Sequence, residues 1–410
     1  MKHWTVLIDN SSPKKEFINA LLNGDLPKPL KGFRGKHGML FSSLAIDNII
    51  EEEARRDYLI LSTEIQSFET LSSGEQKKAL LYHIIASKPE FVILDNPFDN
   101  LDIQFQTALK FLLKNASESI WFIQLASRTS DALPFIHHYG ILTQHGFSEI
   151  DSLEHSIAKR PQAFQHRAIP AGPKKNFLLE NPMIQCNGIN VSYGDRPILK
   201  DIHWTIHKGD FWQLRGENGS GKTTLLSMII GDNPKAYGQD LFLFGKKKGS
   251  GESVWDIKEK IGYYSPAITH KFNGRHSVEH MLISGFTDAI GLYTLPTDIQ
   301  KRSIKAWLLL LELNDLKNTL FHKLSLGQQR LVMTARAMVK HPPVLILDEP
   351  TAGMDDASAG LLVALVNKIA TETDTAIVFV SHRAEPGLHP NRVYLLEKTA
   401  SGAVGTPLKP

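Results

Sequence analysis

The chain has 410 residues, more than one hydrophobic core ordinarily supports, so two domains are expected. Apolar residues at 42%, charged residues at 22% and a formal charge of +3 describe an ordinary globular composition and supply no bulk argument for a nucleic-acid partner. Apolar runs such as Ala306 to Leu311 stop at six residues, against the roughly 20 needed to span a bilayer; Trp4 to Ile8 is too short for a secretory leader; and Cys186 is alone, which excludes an intrachain disulfide and points to a reducing cytoplasm.

In chain order, Thr5 to Ile8 reads as a strand before a turn, and Leu71-Ser-Ser-Gly-Glu-Gln76 precedes the apolar run Phe91 to Asp95, which is followed by Asn96-Pro97. Residues 151 to 182 carry Pro161, Pro170, Pro173 and Pro182 among scattered lysines and arginines without an apolar period, and are expected to be a linker. Met183 to Val191 and Ile198 to Ile206 alternate as strands around a turn at Tyr193, and Phe211 to Leu214 is a further strand. A glycine-rich loop then opens a helix, Thr223 to Ile230, and another helix is expected over Gln300 to Leu313. The six-residue pattern returns as Leu324-Ser-Leu-Gly-Gln-Gln329, followed by the strand Val344 to Asp348 with Glu349-Pro350, and by Ala376 to Val380 with Ser381-His382.

In each half the pattern's serine stands 23 residues before the strand-ending aspartate, so the chain is a tandem duplication. Setting Leu7 to Asp25 on Leu214 to Asp232 needs no gap; it pairs Lys15 with Lys222 and Gly24 with Gly231. The first half lacks the strands that precede the loop in the second, and it has 57 residues between Lys15 and Ser72 where the second has 103 between Lys222 and Ser325.

Gly216-Glu217-Asn218-Gly219-Ser220-Gly221-Lys222-Thr223 fits a phosphate loop at every required position, between a strand and a helix. Backbone N–H groups of such a loop turn inward on a phosphate, the helix N-terminus adds positive charge, the lysine reaches the β- and γ-phosphates, and Thr223, with Thr224 beside it, places a hydroxyl for magnesium. Asp348 at a strand end is placed to hold that magnesium through water, and Glu349 to act as general base or to orient the attacking water. His382, at another strand end, is a candidate γ-phosphate contact. Tyr193 is either an adenine-stacking ring or a turn tyrosine.

These motifs resemble those of the ATP-binding cassette family, over nearly the whole chain apart from the linker. The resemblance implies an α/β fold with two P-loop cassette domains in tandem, at 1–150 and 183–410 with 151–182 between them, the first truncated and degenerate. It implies ATP and Mg2+ as ligands, and two halves closing head to tail so that Ser72 and Gly74 complete the site built on Lys222, while Ser325 and Gly327 face Lys15. By the same alignment the first half has lost its chemistry: Asp9, Ser12 and Lys14 replace loop glycines, Pro13 replaces Ser220, Glu16 replaces Thr223, Asn96 replaces Glu349, and Ser127 or Arg128 falls at His382. Residues 195–199, 241–256 and 283–291 look like a tandem subgroup of the family named for molybdate transport. Integral membrane subunits at the inner face of a membrane are then the expected partners. Ser265-Pro266 stands where the family usually has a glutamine that couples to such subunits, so the alternative is a soluble ATPase acting on a protein or nucleoprotein complex.

Overall fold

The computed structural model describes residues 3–56, 71, 73–99, 101–153, 164, 166–172, 180–269, 271–272, 274–290, 295–382 and 384–409. The chain forms two compact units, residues 1–160 with 352–357, and 161–351 with 358–410. The division falls inside the stretch expected to be a linker, of which 154–163, 165 and 173–179 lie outside the described residues.

The first unit runs β1 (His3–Ile8), α1 (Lys14–Asn23), β2 (Gly38–Phe41), α2 (Ser43–Arg56), α3 (Ser73–Ala86), β3 (Phe91–Asp95), α4 (Ile103–Ala116), β4 (Trp121–Ala126), β5 (Tyr139–Thr143) and β6 (Gly146–Ile150). Its sheet has the order β2-β3-β4-β1-β5-β6, parallel except for the final β5–β6 hairpin. Phe91 and Ile93 pack into one apolar cluster and Val92 and Leu94 into another, on alternate positions of β3. A strand apolar on both faces needs cover on both, which explains its unbroken hydrophobic run.

The second unit contains β7 (Ile184–Tyr193), β8 (Arg196–Ile206), β9 (Phe211–Gly216), α5 (Lys222–Ile229), β10 (Leu241–Leu243), β11 (Lys246–Lys247), α6 (Val254–Lys260), β12 (Ile261–Tyr264), α7 (Pro266–Thr269), α8 (Val278–Ser284), α9 (Asp298–Leu310), α10 (Leu326–Met338), β13 (Val344–Asp348), α11 (Asp356–Glu372, apart from its first two residues, which group with the first unit), β14 (Ala376–Val380), β15 (Arg392–Glu397) and β16 (Val404–Leu408). Its main sheet has the order β12-β13-β14-β9-β15-β16, and an antiparallel sheet, β11-β10-β7-β8, lies beside it. The two sheets are joined through the stacked rings of Trp204 and Tyr394, 4.7 Å apart, and the Tyr394 hydroxyl donates to the His203 carbonyl. Helices α9 and α10 begin at capping boxes, Thr297 with Gln300 and Ser325 with Gln328, so the signature serine Ser325 closes its own helix end. Among the described residues no helix is long and apolar enough to cross a membrane.

Sheet register corrects the ungapped alignment of the two halves. Asp95 lies opposite Leu125 and Leu125 opposite Val6, whereas Asp348 lies opposite Val380 and Val380 opposite Leu214. Val6, not Leu7, is therefore the counterpart of Leu214. Trp4 then matches Trp212, Asn10 matches Asn218, Ser12 matches Ser220, and Lys14, not Lys15, matches Lys222; helices α1 and α5 start at those two lysines. The glycines that end the helices, Gly24 and Gly231, are both left-handed (φ 80° and 85°) but stand ten and nine residues after their lysines. One extra residue in α1 hides the shift from a gapless comparison.

Candidate functional site

In the second unit the strands β13, β14 and β9 are adjacent and parallel, so their carboxyl ends share one rim. That rim is where an open α/β sheet presents ligand sites. The loop from Gly216 to Gly221 leaves β9 there. Gly219 and Gly221 take φ of 75° and 85°, and a Cβ on Gly221 would lie 2.6 Å from the Leu199 side chain; on Gly216 it would lie 2.5 Å from Ser220 Oγ. Only glycine fits both the backbone and the space. Ser220 Oγ is buried without a hydrogen-bond partner, and the Lys222 ammonium donates to the carbonyls of Gly216 and Glu217 at 2.7 and 2.8 Å. An orphaned hydroxyl and a lysine folded onto its own loop are the donor set that a phosphate would draw on.

Asp348 and Glu349 follow at the end of β13. Glu349 has φ of 48°, and its N–H donates to the Val380 carbonyl. His382 Nε2 meets Glu349 Oε1 at 2.6 Å, and His382 Nδ1 is buried without a partner. Burial, with the charge of Glu349 second, pushes the Asp348 carboxyl up to about 6 against the pull of Lys222 and His382. Burial also acts to raise Glu349, but the hydrogen bond and charge of His382, with Lys222, outweigh it and hold that carboxyl below its usual range. The pair thus divides into one carboxylate that is readily protonated and one that stays charged. The structure brings Lys222, Asp348, Glu349 and His382 into one electrostatic group, as expected from their motifs. Among the described residues no group of three or more His, Cys, Asp or Glu could hold a metal ion by itself. One carboxylate and the hydroxyl of Thr223, at the start of α5, instead suit magnesium, which takes few protein ligands and keeps waters and phosphate oxygens.

Tyr193 ends β7 with its ring half exposed. Ser72 lies outside the described residues. Gly74 sits in the first turn of α3, where a Cβ would come within 2.7 Å of the Phe105 ring; its counterpart Gly327 is similarly close to Ser358, at 2.5 Å from Oγ. Both signature glycines therefore have a packing reason inside their own unit. Two contacts were not foreseen from the motifs. The Tyr263 hydroxyl lies 3.5 Å from Asp348 Oδ2, and Gln213 Nε2 donates to Ser381 Oγ at 2.8 Å. Tyr263 sits on β12, which flanks β13, and Gln213 on β9 itself, and nothing in their spacing along the chain links them to these partners.

The first unit repeats this framework with other chemistry. Asn96 is left-handed (φ 43°) and donates its N–H to the Leu125 carbonyl, as Glu349 does to Val380. Ser127 stands at the His382 position and exchanges hydrogen bonds with the Asn96 amide at 2.9 and 3.0 Å. Pro13 replaces Gly221 and takes φ of −74°, Ile8 replaces Gly216, Ser11 replaces Gly219, and Lys15 replaces Thr223. Asp9 Oδ1 accepts the N–H and hydroxyl of Ser11 at 2.8 and 2.7 Å, and these bonds, with Ser12, overcome partial burial to hold Asp9 below its ordinary range. Lys14 pairs with Asp95 at 3.1 Å.

A family model described as ABC transporter matches residues 199–352. The ABC transporter ATP-binding protein ModF of Escherichia coli is 38% identical over 333 residues, covering 78% of this chain and 68% of that protein. An uncharacterised ABC transporter ATP-binding protein of Schizosaccharomyces pombe is 33% identical over 326 residues, covering 77% of this chain and 66% of its own length. The chain thus spans about two thirds of these relatives. Among solved structures, the archaeal ribosome recycling factor aABCE1, determined in complex with the ribosomal stalk protein aP1, aligns over 100% of this chain and 86% of its own with a TM-score of 0.67 at 14% identity, a likeness of fold alone. Paired phosphate-loop and strand-end carboxylate motifs, a repeated signature helix and the extent of identity to a tandem relative together place the chain in the ATP-binding cassette (ABC) family of ATPases, as a ModF-like tandem member.

Proposed function

We propose that the second unit hydrolyses ATP with its own catalytic residues and that the first unit does not. The observation that carries this reading is the convergence of Lys222, Asp348, Glu349 and His382 on one strand rim beside a glycine loop with an unspent buried hydroxyl. Loop N–H groups, Ser220 and Lys222 bind the triphosphate, and Tyr193 offers a ring face to the adenine. Thr223 and Asp348 hold magnesium, which neutralises charge on the β- and γ-phosphates when bound. Glu349, charged and held by His382, orients the attacking water and accepts its proton. His382 keeps that carboxylate ionised, and as a γ-phosphate contact it would have to exchange its bond to Glu349 for one to the nucleotide.

ModF is named as an ABC transporter ATP-binding protein, and we assign this chain the same kind of role, as the nucleotide-hydrolysing component that works with integral membrane subunits. A second reading, an ATPase acting on a soluble complex, is favoured by one feature: α7 begins at Pro266, directly after Ser265, where a coupling glutamine is usual. Steady-state phosphate release by the purified chain, compared with Lys222→Ala, tests the hydrolytic assignment; equal release by the two would overturn it. Co-sedimentation with the membrane fraction of native cells separates the two roles. A transporter component follows its integral partners into the pellet.

A further inference from the structure

We infer that Asn233 is a positioning residue that ties the base platform Tyr193 to the phosphate-loop helix. The inference rests on the reading that Tyr193 stacks on adenine. Asn233 is buried, 8% exposed, just beyond the end of α5. Its Oδ1 accepts the N–H of Lys235, which fixes which end of the amide is oxygen, so Nδ2 is the atom that faces the other two partners. Nδ2 donates to the Tyr193 hydroxyl at 2.9 Å and to Ser227 Oγ at 3.0 Å. Ser227 in turn donates to the carbonyl of Thr224, in the first turn of α5, at 2.8 Å.

A continuous hydrogen-bonded bridge therefore runs from the phenol on β7, through one amide, to the turn of helix that carries Thr223 and Thr224. Without it, a half-exposed ring at a strand end has free rotation about its side-chain bonds. With it, the distance between ring and phosphate loop is set before a nucleotide arrives, which lowers the ordering cost of binding. Lys235, whose N–H the same amide holds, places its ammonium 5.6 Å from the Tyr193 ring centroid and adds a cation–π contact to the assembly. Every polar atom of the Asn233 side chain is used, so the bridge has no slack to lend elsewhere.

The role is specific to the base, and this makes it separable from a general loss of structure. Affinity for ATP and for inorganic tripolyphosphate, measured by titration calorimetry on the full chain, distinguishes the cases. Tyr193→Ala tests the stacking reading; it weakens ATP binding and leaves tripolyphosphate unchanged. Tyr193→Phe keeps the ring but removes the acceptor, and Asn233→Ala removes the donor. Each is expected to weaken ATP binding about threefold to tenfold, the range for one hydrogen bond, with tripolyphosphate unaffected. The double variant should be no weaker than either single one, because both break the same link.

If Tyr193→Ala weakens ATP binding while Tyr193→Phe and Asn233→Ala do not, the platform stands and the bridge is refuted. If Tyr193→Ala leaves ATP binding unchanged, both fall. Equal loss of ATP and tripolyphosphate affinity in Asn233→Ala, or additive losses in the double variant, would also overturn the bridge, since Asn233 would then act on the loop or through a separate route. Should Asn233→Ala fail to fold, Tyr193→Phe alone decides the matter.

Discussion

The two phosphate-loop regions share a backbone plan and differ in where their charges go. Each follows a strand that lies one strand away from the strand ending in Asp-Glu or Asp-Asn, each unit has a left-handed residue after that aspartate, and each starts its helix at a lysine. In the second unit Lys222 rests on loop carbonyls and the Ser220 hydroxyl has no partner. In the first, Asp9 consumes the N–H and hydroxyl of Ser11, and Lys14 is held by Asp95. The lesson is that a degenerate loop need not be a disordered one: its own side chains take up donors that a glycine loop leaves open.

The largest effect should come from the strand-end acid. Glu349→Gln is expected to reduce phosphate release by at least about 100-fold while ATP binding persists, because an amide keeps the shape but cannot take a proton. The reciprocal double change Asn96→Glu with Ser127→His should restore no turnover to a chain carrying Glu349→Gln. Release within a few-fold of the parent chain for Glu349→Gln, or rescue by the first unit, would break the comparison.

Next in size, Lys222→Ala should weaken ATP binding by about 10- to 100-fold, as for a charged hydrogen bond. Lys14→Ala and Lys15→Ala should leave affinity within about twofold. Equilibrium titration of Glu349→Gln with ATP and magnesium sharpens this by counting sites; one tight site per chain is expected, and two would mean that the first loop still binds.

A pH series gives a moderate effect with a definite sign. Because the Asp348 carboxyl is pushed up to about 6, above its unfolded value, the folded chain holds that proton more tightly than the unfolded chain. Stability present below about pH 4 is then lost as pH rises through about 6. In metal-free buffer Asp348→Asn should therefore stabilise the second unit by about 2 kcal/mol at pH 7.5, the gain fading toward pH 4. Asp95→Asn, which gives up its lysine partner, should show no such gain. Denaturant unfolding of both variants across that range is the check, and a destabilised Asp348→Asn at pH 7.5 would remove the electrostatic account.

The smallest effect concerns the first loop itself. Lys14 is 37% exposed, so its pair with Asp95 is screened, and Lys14→Ala should cost less than about 1 kcal/mol in the same unfolding assay. A much larger loss would show that the pair organises the loop.

The sequence by itself determined the duplication, the α/β class and the glycine-rich phosphate-loop pattern of the second half, because phosphate loops and signature helices are local patterns whose geometry depends on glycine, a capping serine and a terminal carboxylate at fixed spacing. It also determined that Asn96 stands in place of Glu349, since that position follows an unmistakable strand. Only the tertiary structure decided the register. Matching the halves end to end put Lys15 on Lys222, and strand pairing moved the match to Lys14, because one residue added to a helix shifts everything before it while leaving the helix-ending glycine in place. The same pairing settled Ser127 over Arg128 as the counterpart of His382. Contacts such as Asn233 with Tyr193, or Tyr263 with Asp348, join residues 40 and 85 positions apart and exist only once the strands are side by side. Hydrogen bonds between distant segments leave no periodicity in a single chain, and for that physical reason the site's frame was legible in the sequence while its supports were not.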